Sequence, residues 1–191
     1  MKPNLKDYII KQSSFLENDF CDETIIKLQE IEKSEWLKHA YYNNQTGELV
    51  SNGNQELDIT YANHLDNTRV IIEKMWHSIA NYIDSFKYPW FTAWRGFSPI
   101  RYNRYTLNQK MNYHCDHIHS LFDGDRKGIP ILSCLGLLND DYEGGEFLIL
   151  DDLKIELKKG DLLIFPSNFM YPHRVKPVLE GVRYSYISWV W

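Results

Sequence analysis

The sequence predicts an α+β fold: a double-stranded β-helix, or jelly roll, with N-terminal helices packed on one of its sheets. Three observations carry this expectation. Helical periodicity is confined to the first half of the chain. From about Ile100 onward the texture changes to short runs of β-branched and aromatic residues separated by turn residues. No helical pattern interrupts those runs, which suits an antiparallel double sheet better than alternating strand and helix units.

The elements follow in order. In Asp22–Glu35 the apolar residues Ile25, Leu28 and Ile31 share one face, and Asp22 is placed to cap the helix. Asn43–Asn54 is dense in Asn, Gly and Ser and reads as a hairpin or surface loop. Asn67–Lys87 is the stronger helix: Ile72, Met75, Trp76, Ile79, Ile83 and Phe86 recur at helical spacing, and Pro89 stops the run. Eight strands are then expected, over Ile100–Leu107, Met111–Ile118, Ile131–Leu138, Glu146–Leu150, Leu153–Leu157, Leu162–Phe165, Tyr171–Lys176 and Val182–Trp191. Asp151-Asp152 marks a tight turn between two of them. The connection His117–Pro130 is long for a hairpin, as loops that border binding sites often are.

At 191 residues and 22.7 kDa the chain is expected to form one domain, with residues 1–99 a largely helical support and residues 100–191 the jelly-roll core. A net charge of −5 and a pI near 5.8 speak against affinity built on neutralising many phosphates, so no nucleic-acid partner is expected. Cys21, Cys115 and Cys134 are odd in number and form no CxxC pair, which suggests neither a disulfide framework nor a zinc knuckle and fits a reducing cytoplasm. The N-terminal stretch is too polar for a signal peptide and no run approaches a membrane span, so a soluble, untargeted protein is expected. No feature of the sequence specifies an oligomeric state.

The chemistry concentrates in the second half. In His114-Cys115-Asp116, strand alternation puts the imidazole and the carboxylate on one face and the thiol on the other. His173 lies in a later expected strand and joins them if the sheet folds back over itself, as a jelly roll does. Two imidazoles and one carboxylate leave iron(II) with open coordination positions, although catalytic zinc uses the same ligand types. Arg183, ten positions beyond His173, opens an apolar strand in which an inward guanidinium needs a partner. Its planar fork suits a carboxylate. Ser185 shares the face of Arg183, while Tyr184 and Tyr186 face away. His117 and His119 read as loop residues, and His39, His64 and His77 as structural ones.

Three further stretches complete a pattern: Arg104-Tyr105-Thr106-Leu107-Asn108-Gln109-Lys110 before the first histidine, Leu138-Asn139-Asp140-Asp141-Tyr142-Glu143-Gly144-Gly145-Glu146, and Gly160-Asp161-Leu162-Leu163-Ile164-Phe165-Pro166 before the second. Together with the spacing of His173 and Arg183, they make the second half of the chain resemble the prolyl 4-hydroxylase-like branch of the iron(II) and 2-oxoglutarate dependent dioxygenases. The departures are Asn108 for a usual glycine, Met111 for an often aromatic residue, and Leu137 where some members carry tyrosine.

The resemblance implies an oxidoreductase whose iron(II) is held by His114, Asp116 and His173. 2-Oxoglutarate would be the co-substrate, anchored by Arg183 with Tyr105 and Ser185 beside it, O2 the oxidant, and ascorbate a further reductant. The implied reaction hydroxylates a C–H bond of a peptide or protein residue, proline first among the candidates, and releases succinate and CO2. Tyr102, Tyr105 and Trp189 would shape the pocket. Two alternatives stay open: the same chemistry on a free amino acid or other small molecule, and a non-catalytic jelly-roll module that binds metal or sugar.

Overall fold

A computed structural model describes residues 4–42, 46, 48–51, 53–87, 94–116 and 130–191. All of the connection His117–Pro130 except Pro130 lies outside the described residues, and with it His117 and His119; so does Pro89. The first half runs β1 (Ile10–Gln12), α1 (Asn18–Glu30), β2 (Leu37–Lys38), β3 (Tyr41–Tyr42), β4 (Leu49–Val50), β5 (Asp58–Thr60) and α2 (Asp66–Phe86). Among the described residues the second half holds strands alone: β6 (Arg101–Tyr105), β7 (Met111–His114), β8 (Leu132–Leu137), β9 (Glu143–Gly144), β10 (Phe147–Ile149), β11 (Leu153–Ile155), β12 (Leu162–Pro166), β13 (His173–Val175), β14 (Val178–Glu180) and β15 (Arg183–Val190).

Two antiparallel sheets form the jelly roll. The large one has seven strands in the order β1-β12-β8-β15-β6-β5-β2, and the small one four in the order β11-β10-β13-β7. Each expected strand has a counterpart, shorter than its run of β-prone residues except β12, which extends one residue further, to Pro166. Strands β9 and β14, which pair with each other, escape the pattern because they are only two and three residues long. So do β1, β2 and β5, which extend the large sheet from the N-terminal half; that half therefore builds part of the sheet as well as covering it.

The large sheet separates two cores, and the period-2 alternation of its strands sorts residues between them. Tyr102, Leu132, Cys134, Leu162, Ile164, Tyr184, Tyr186 and Val190 pack against Ile71, Met75, Ile79 and Tyr82 of α2 and Cys21 and Leu28 of α1. Tyr105, Leu135, Leu163, Phe165 and Ile187 point the other way, into the space between the sheets, and meet Met111, Phe147, Ile149 and Val175. Burying more than ten large apolar side chains in each core, each worth about 1.5–3 kcal/mol, is the main favourable term of the fold.

The helices depart from expectation in detail. Helix α1 begins four residues before Asp22, because its buried face is Cys21, Thr24 and Leu28; Asp22 sits inside the helix and pairs with Lys159 at 2.5 Å. Trp76 lies on the outer face of α2, 48% exposed, where its ring meets those of Trp94 and Phe97. Strands β3 and β4 form a hairpin through Tyr41↔Val50 and Tyr42↔Leu49, as the Asn-rich segment suggests. Among the described residues no helix is long and apolar enough to cross a membrane.

Candidate active site

His114 closes β7, and His173 opens β13; the two are register partners across the antiparallel pair, with ring centroids 4.4 Å apart. The sheet does not need to fold over itself to bring them together, because they are neighbours in the small sheet. The next register pair is Val175↔Met111, so Tyr113 and Asn112 together oppose Arg174 alone. Such a bulge re-aims the adjacent side chain. Asp116 lies two residues past the strand end, so its placement comes from the departing chain rather than from strand rigidity. Cys115, also past the strand end, lies beside His114 and Asp116 in the cavity lining with its Sγ 3.5 Å from the Phe169 carbonyl.

Asp116 lies between the two imidazoles: His114 Nε2 is 3.7 Å from its Oδ1, and His173 Nε2 is 3.7 Å from its Oδ2. The three donor atoms all fall within 4.8 Å of one another. Two donors held at about 2.1 Å from one ion can stand up to about 4.2 Å apart, so the 3.7 Å pairs suit a single metal. Each imidazole has its other nitrogen beside a backbone carbonyl, His114 Nδ1 2.7 Å from the Asn112 oxygen and His173 Nδ1 3.1 Å from the Tyr171 oxygen. Donation there fixes the tautomer and leaves each Nε2 lone pair for a ligand bond.

The carboxylate is held from the large sheet. Ser133 of β8 donates its hydroxyl to Asp116 Oδ2 and is itself 2.7 Å from Ser167 Oγ; both serines are fully buried. Burial alone would raise the pKa of Asp116, but the charge of His173 and hydrogen bonds from His114 and Ser133 outweigh it and hold the group well below the usual carboxylate range. His173 is walled by the rings of Phe147 and Phe165, and burial lowers its pKa to about 4. Burial pushes His114 down too, yet its hydrogen bond and charge interaction with Asp116 win and leave it above its ordinary 6.5.

Arg183 opens β15 opposite Tyr105 of β6 and is 1% exposed. Its Nη1 donates to Ser185 Oγ at 2.8 Å, and its guanidinium lies over the Tyr105 ring, 5.1 Å from the centroid. Among the described residues no carboxylate pairs with it, and its buried Nε has no hydrogen-bond partner. A buried guanidinium served by one hydroxyl and one ring is the receptor that a dicarboxylic co-substrate requires. Room for such a ligand is kept by Gly145, at φ +63°, where a Cβ would come within 3.0 Å of Arg183 Cδ. A cleft of about 270 Å³ lined by Gly144, Gly145, Phe147 and Arg183 reaches this point. Phe147 in turn touches His173, so one aromatic ring joins the guanidinium to the triad.

A second cavity, of about 450 Å³, opens over the triad itself and is lined by His114, Asp116, Met111, Tyr113, Arg101 and Trp189 on one side and His39, Tyr41 and Glu56 on the other. Trp189 therefore shapes the pocket as expected. Tyr102 does not: it faces the helices and hydrogen-bonds Thr68 at 2.7 Å. His39, read as structural, lines the cavity with its Nδ1 2.9 Å from Glu56 Oε2. Arg101 and Glu56 carried no sequence signal, since each lies in a stretch without a recognisable spacing. Asn108 adopts φ +64°, a left-handed conformation that asparagine tolerates, which is why it can stand where the resembled family has glycine.

Comparison with known proteins agrees with this fold and site. The profile of the 2OG-Fe(II) oxygenase superfamily matches residues 100–191, just under half of the chain. It includes both histidines, the aspartate and Arg183. A PKHD-type hydroxylase of Xylella fastidiosa strain M12 is 36% identical over 109 residues, covering 48% of this chain and 44% of that protein. A PKHD-type hydroxylase of Idiomarina loihiensis is 37% identical over 94 residues, covering 48% and 41%. The chain thus matches less than half the length of these relatives. The fold is similar to that of solved prolyl 4-hydroxylases. The Pseudomonas putida prolyl-4-hydroxylase superposes with a TM-score of 0.71 at 17% identity over 96% of this chain and 91% of that one. A Trichoplax adhaerens prolyl hydroxylase, solved in complex with a hypoxia inducible factor peptide fragment, gives 0.68 at 16% identity over 96% and 83%.

Proposed function

We propose that this chain is an iron(II)- and 2-oxoglutarate-dependent oxygenase that hydroxylates a C–H bond of a peptide or protein residue, with proline the first candidate and succinate and CO2 the co-products. The observation that carries the proposal is the pairing of the His114, Asp116 and His173 cluster with a buried arginine that has no carboxylate of its own. A zinc hydrolase would use the first and has no need of the second.

His114 and His173 would hold the metal through Nε2, and Asp116 through a carboxylate oxygen. Iron, bound with the keto acid, would activate O2, the oxidant for C–H hydroxylation, one oxygen atom going to the substrate and the other to succinate. The residues of the chain do the rest. Arg183 binds the far carboxylate of the keto acid, and Ser185 and the Tyr105 ring fix the orientation of its fork. Ser133 keeps one oxygen of Asp116 occupied, so the carboxylate presents the other in a defined direction. Phe147 and Phe165 keep water from His173. The open cavity bounded by Tyr113, Trp189 and Tyr41 admits the substrate.

The test is succinate formation from 2-oxoglutarate in the presence of iron(II), with a panel of proline-containing peptides and free amino acids, and mass spectrometry for a gain of one oxygen. Iron-dependent succinate that rises with a peptide supports the proposal. A rise with a free amino acid alone transfers the same chemistry to a small molecule. Absence of iron-dependent 2-oxoglutarate consumption overturns it in favour of a binding module.

A further inference from the structure

The cavity over the triad is lined by a cation, Arg101, that lies outside the triad. Arg101 opens β6 with its side chain on the inter-sheet face. Its Nε donates to Asn103 Oδ1 at 3.1 Å, and its guanidinium lies on the Trp189 ring, 4.8 Å from the centroid. One edge and one face are thus held. Among the described residues no carboxylate lies within ion-pairing distance of Arg101, and its terminal nitrogens have no protein acceptor, although they are not sealed from solvent. The two acidic residues of the same cavity are committed elsewhere, Asp116 to the triad and Glu56 to His39.

A guanidinium fixed in this way presents its outer fork to the cavity, and the complementary group for a fork is a carboxylate bound through two N–H donors. Arg183 already serves the keto acid from the opposite end of the inter-sheet space. We infer that Arg101 determines specificity, receiving a carboxylate that the substrate carries close to the carbon to be hydroxylated. The inference rests on the oxygenase reading above. The carboxylate has two possible sources, an acidic side chain beside the target residue of a peptide or the α-carboxylate of a free amino acid.

The probes are pairs that differ only in that group: blocked Gly-Pro-Asp-Gly against Gly-Pro-Asn-Gly, blocked Gly-Asp-Pro-Gly against Gly-Asn-Pro-Gly, and L-proline against L-prolinamide. Binding is measured by calorimetry on the full chain loaded with zinc, so that no turnover is needed. A charge-assisted contact of this kind predicts about tenfold or greater preference for the acid in at least one pair. Arg101→Gln should bring that ratio to within about twofold of unity, and Arg101→Lys should retain part of it. The pair that discriminates identifies the source. Equal affinity of acid and amide in every pair, no binding of any acid, or the same ratio in wild type and Arg101→Gln overturns the inference. So does a loss of 2-oxoglutarate affinity in Arg101→Gln, which would assign the residue to the co-substrate. Failure of the oxygenase reading appears separately, as absence of iron-dependent succinate in the wild type.

Discussion

Replacing Arg183 by methionine separates a structural arginine from a ligand-binding one. The side chain is 1% exposed, its Nε lacks a partner and its other contacts are one serine hydroxyl and the face of Tyr105. A buried polar atom without a partner costs about 1–3 kcal/mol, which methionine removes. The substitution gives up a cation–π contact of about 0.5–2 kcal/mol and one hydrogen bond of about 1 kcal/mol. The two sides nearly cancel, so the ligand-free variant should stay within about 1 kcal/mol of wild type, a few degrees in Tm for a chain of this size. Ligand response should differ sharply. At one hundred times its Kd, 2-oxoglutarate stabilises the wild type by about 2.7 kcal/mol. Removing one partner of a buried charge pair costs about 2–5 kcal/mol, a Kd at least about thirtyfold weaker, which cuts the stabilisation at the same concentration to under about 1 kcal/mol. Thermal unfolding of the zinc-loaded protein with and without 2-oxoglutarate reads both quantities. A variant that keeps the full ligand-induced shift, or one that loses about 3 kcal/mol or more without ligand, refutes the assignment.

Three further outcomes follow from the same geometry. Ser133→Ala should weaken cobalt(II) binding about 10- to 100-fold and alter its visible spectrum, since the serine orients Asp116 from behind; an unchanged affinity removes Ser133 from the site. Metal binding requires neutral imidazoles: His173, with a pKa near 4, is already neutral at pH 7, whereas His114 sits above 6.5, so affinity should rise with pH through the His114 value by about one proton and level off above it. Titrations that are flat between about pH 6 and 8 contradict this assignment. Gly136→Ala should destabilise the fold by about 1–3 kcal/mol or more in urea unfolding, because the new methyl meets the buried ring of Tyr186, while Tyr186→Phe, which removes a buried hydroxyl without a partner, should be neutral or stabilising.

What was legible in the sequence is what short-range periodicity encodes. The alternation of β15 correctly sorted Arg183 and Ser185 from Tyr184 and Tyr186, and the stripe of α2 correctly placed Met75 and Ile79 in the core. The spacing of His114, Asp116 and His173 was legible as a candidate donor set, and the structure brings their ligand atoms within 4.8 Å of one another. Features set by tertiary pairing were not legible. Strands β1, β2 and β5, at or next to the edges of the large sheet, are two or three residues long, too short for alternation to register. The bulge at Asn112 and Tyr113 depends on the partner strand, and no local residue preference announces it. Arg101, Glu56 and His39 meet only when β5, β6 and the segment between β2 and β3 assemble, so each reads alone as an ordinary polar residue.

The pairing of β13 with β7 has a consequence for how the protein matures. Since His114 and His173 are register partners, a slip of one residue would turn one imidazole to the opposite face of the small sheet and dissolve the donor set. An ion bound by both histidines therefore selects a single alignment of strands that are remote in sequence. Under the proposed function it would act as a proofreader of topology: molecules that closed the small sheet out of register would lack the donor set, and those that bound the ion would be held in the correct alignment by it.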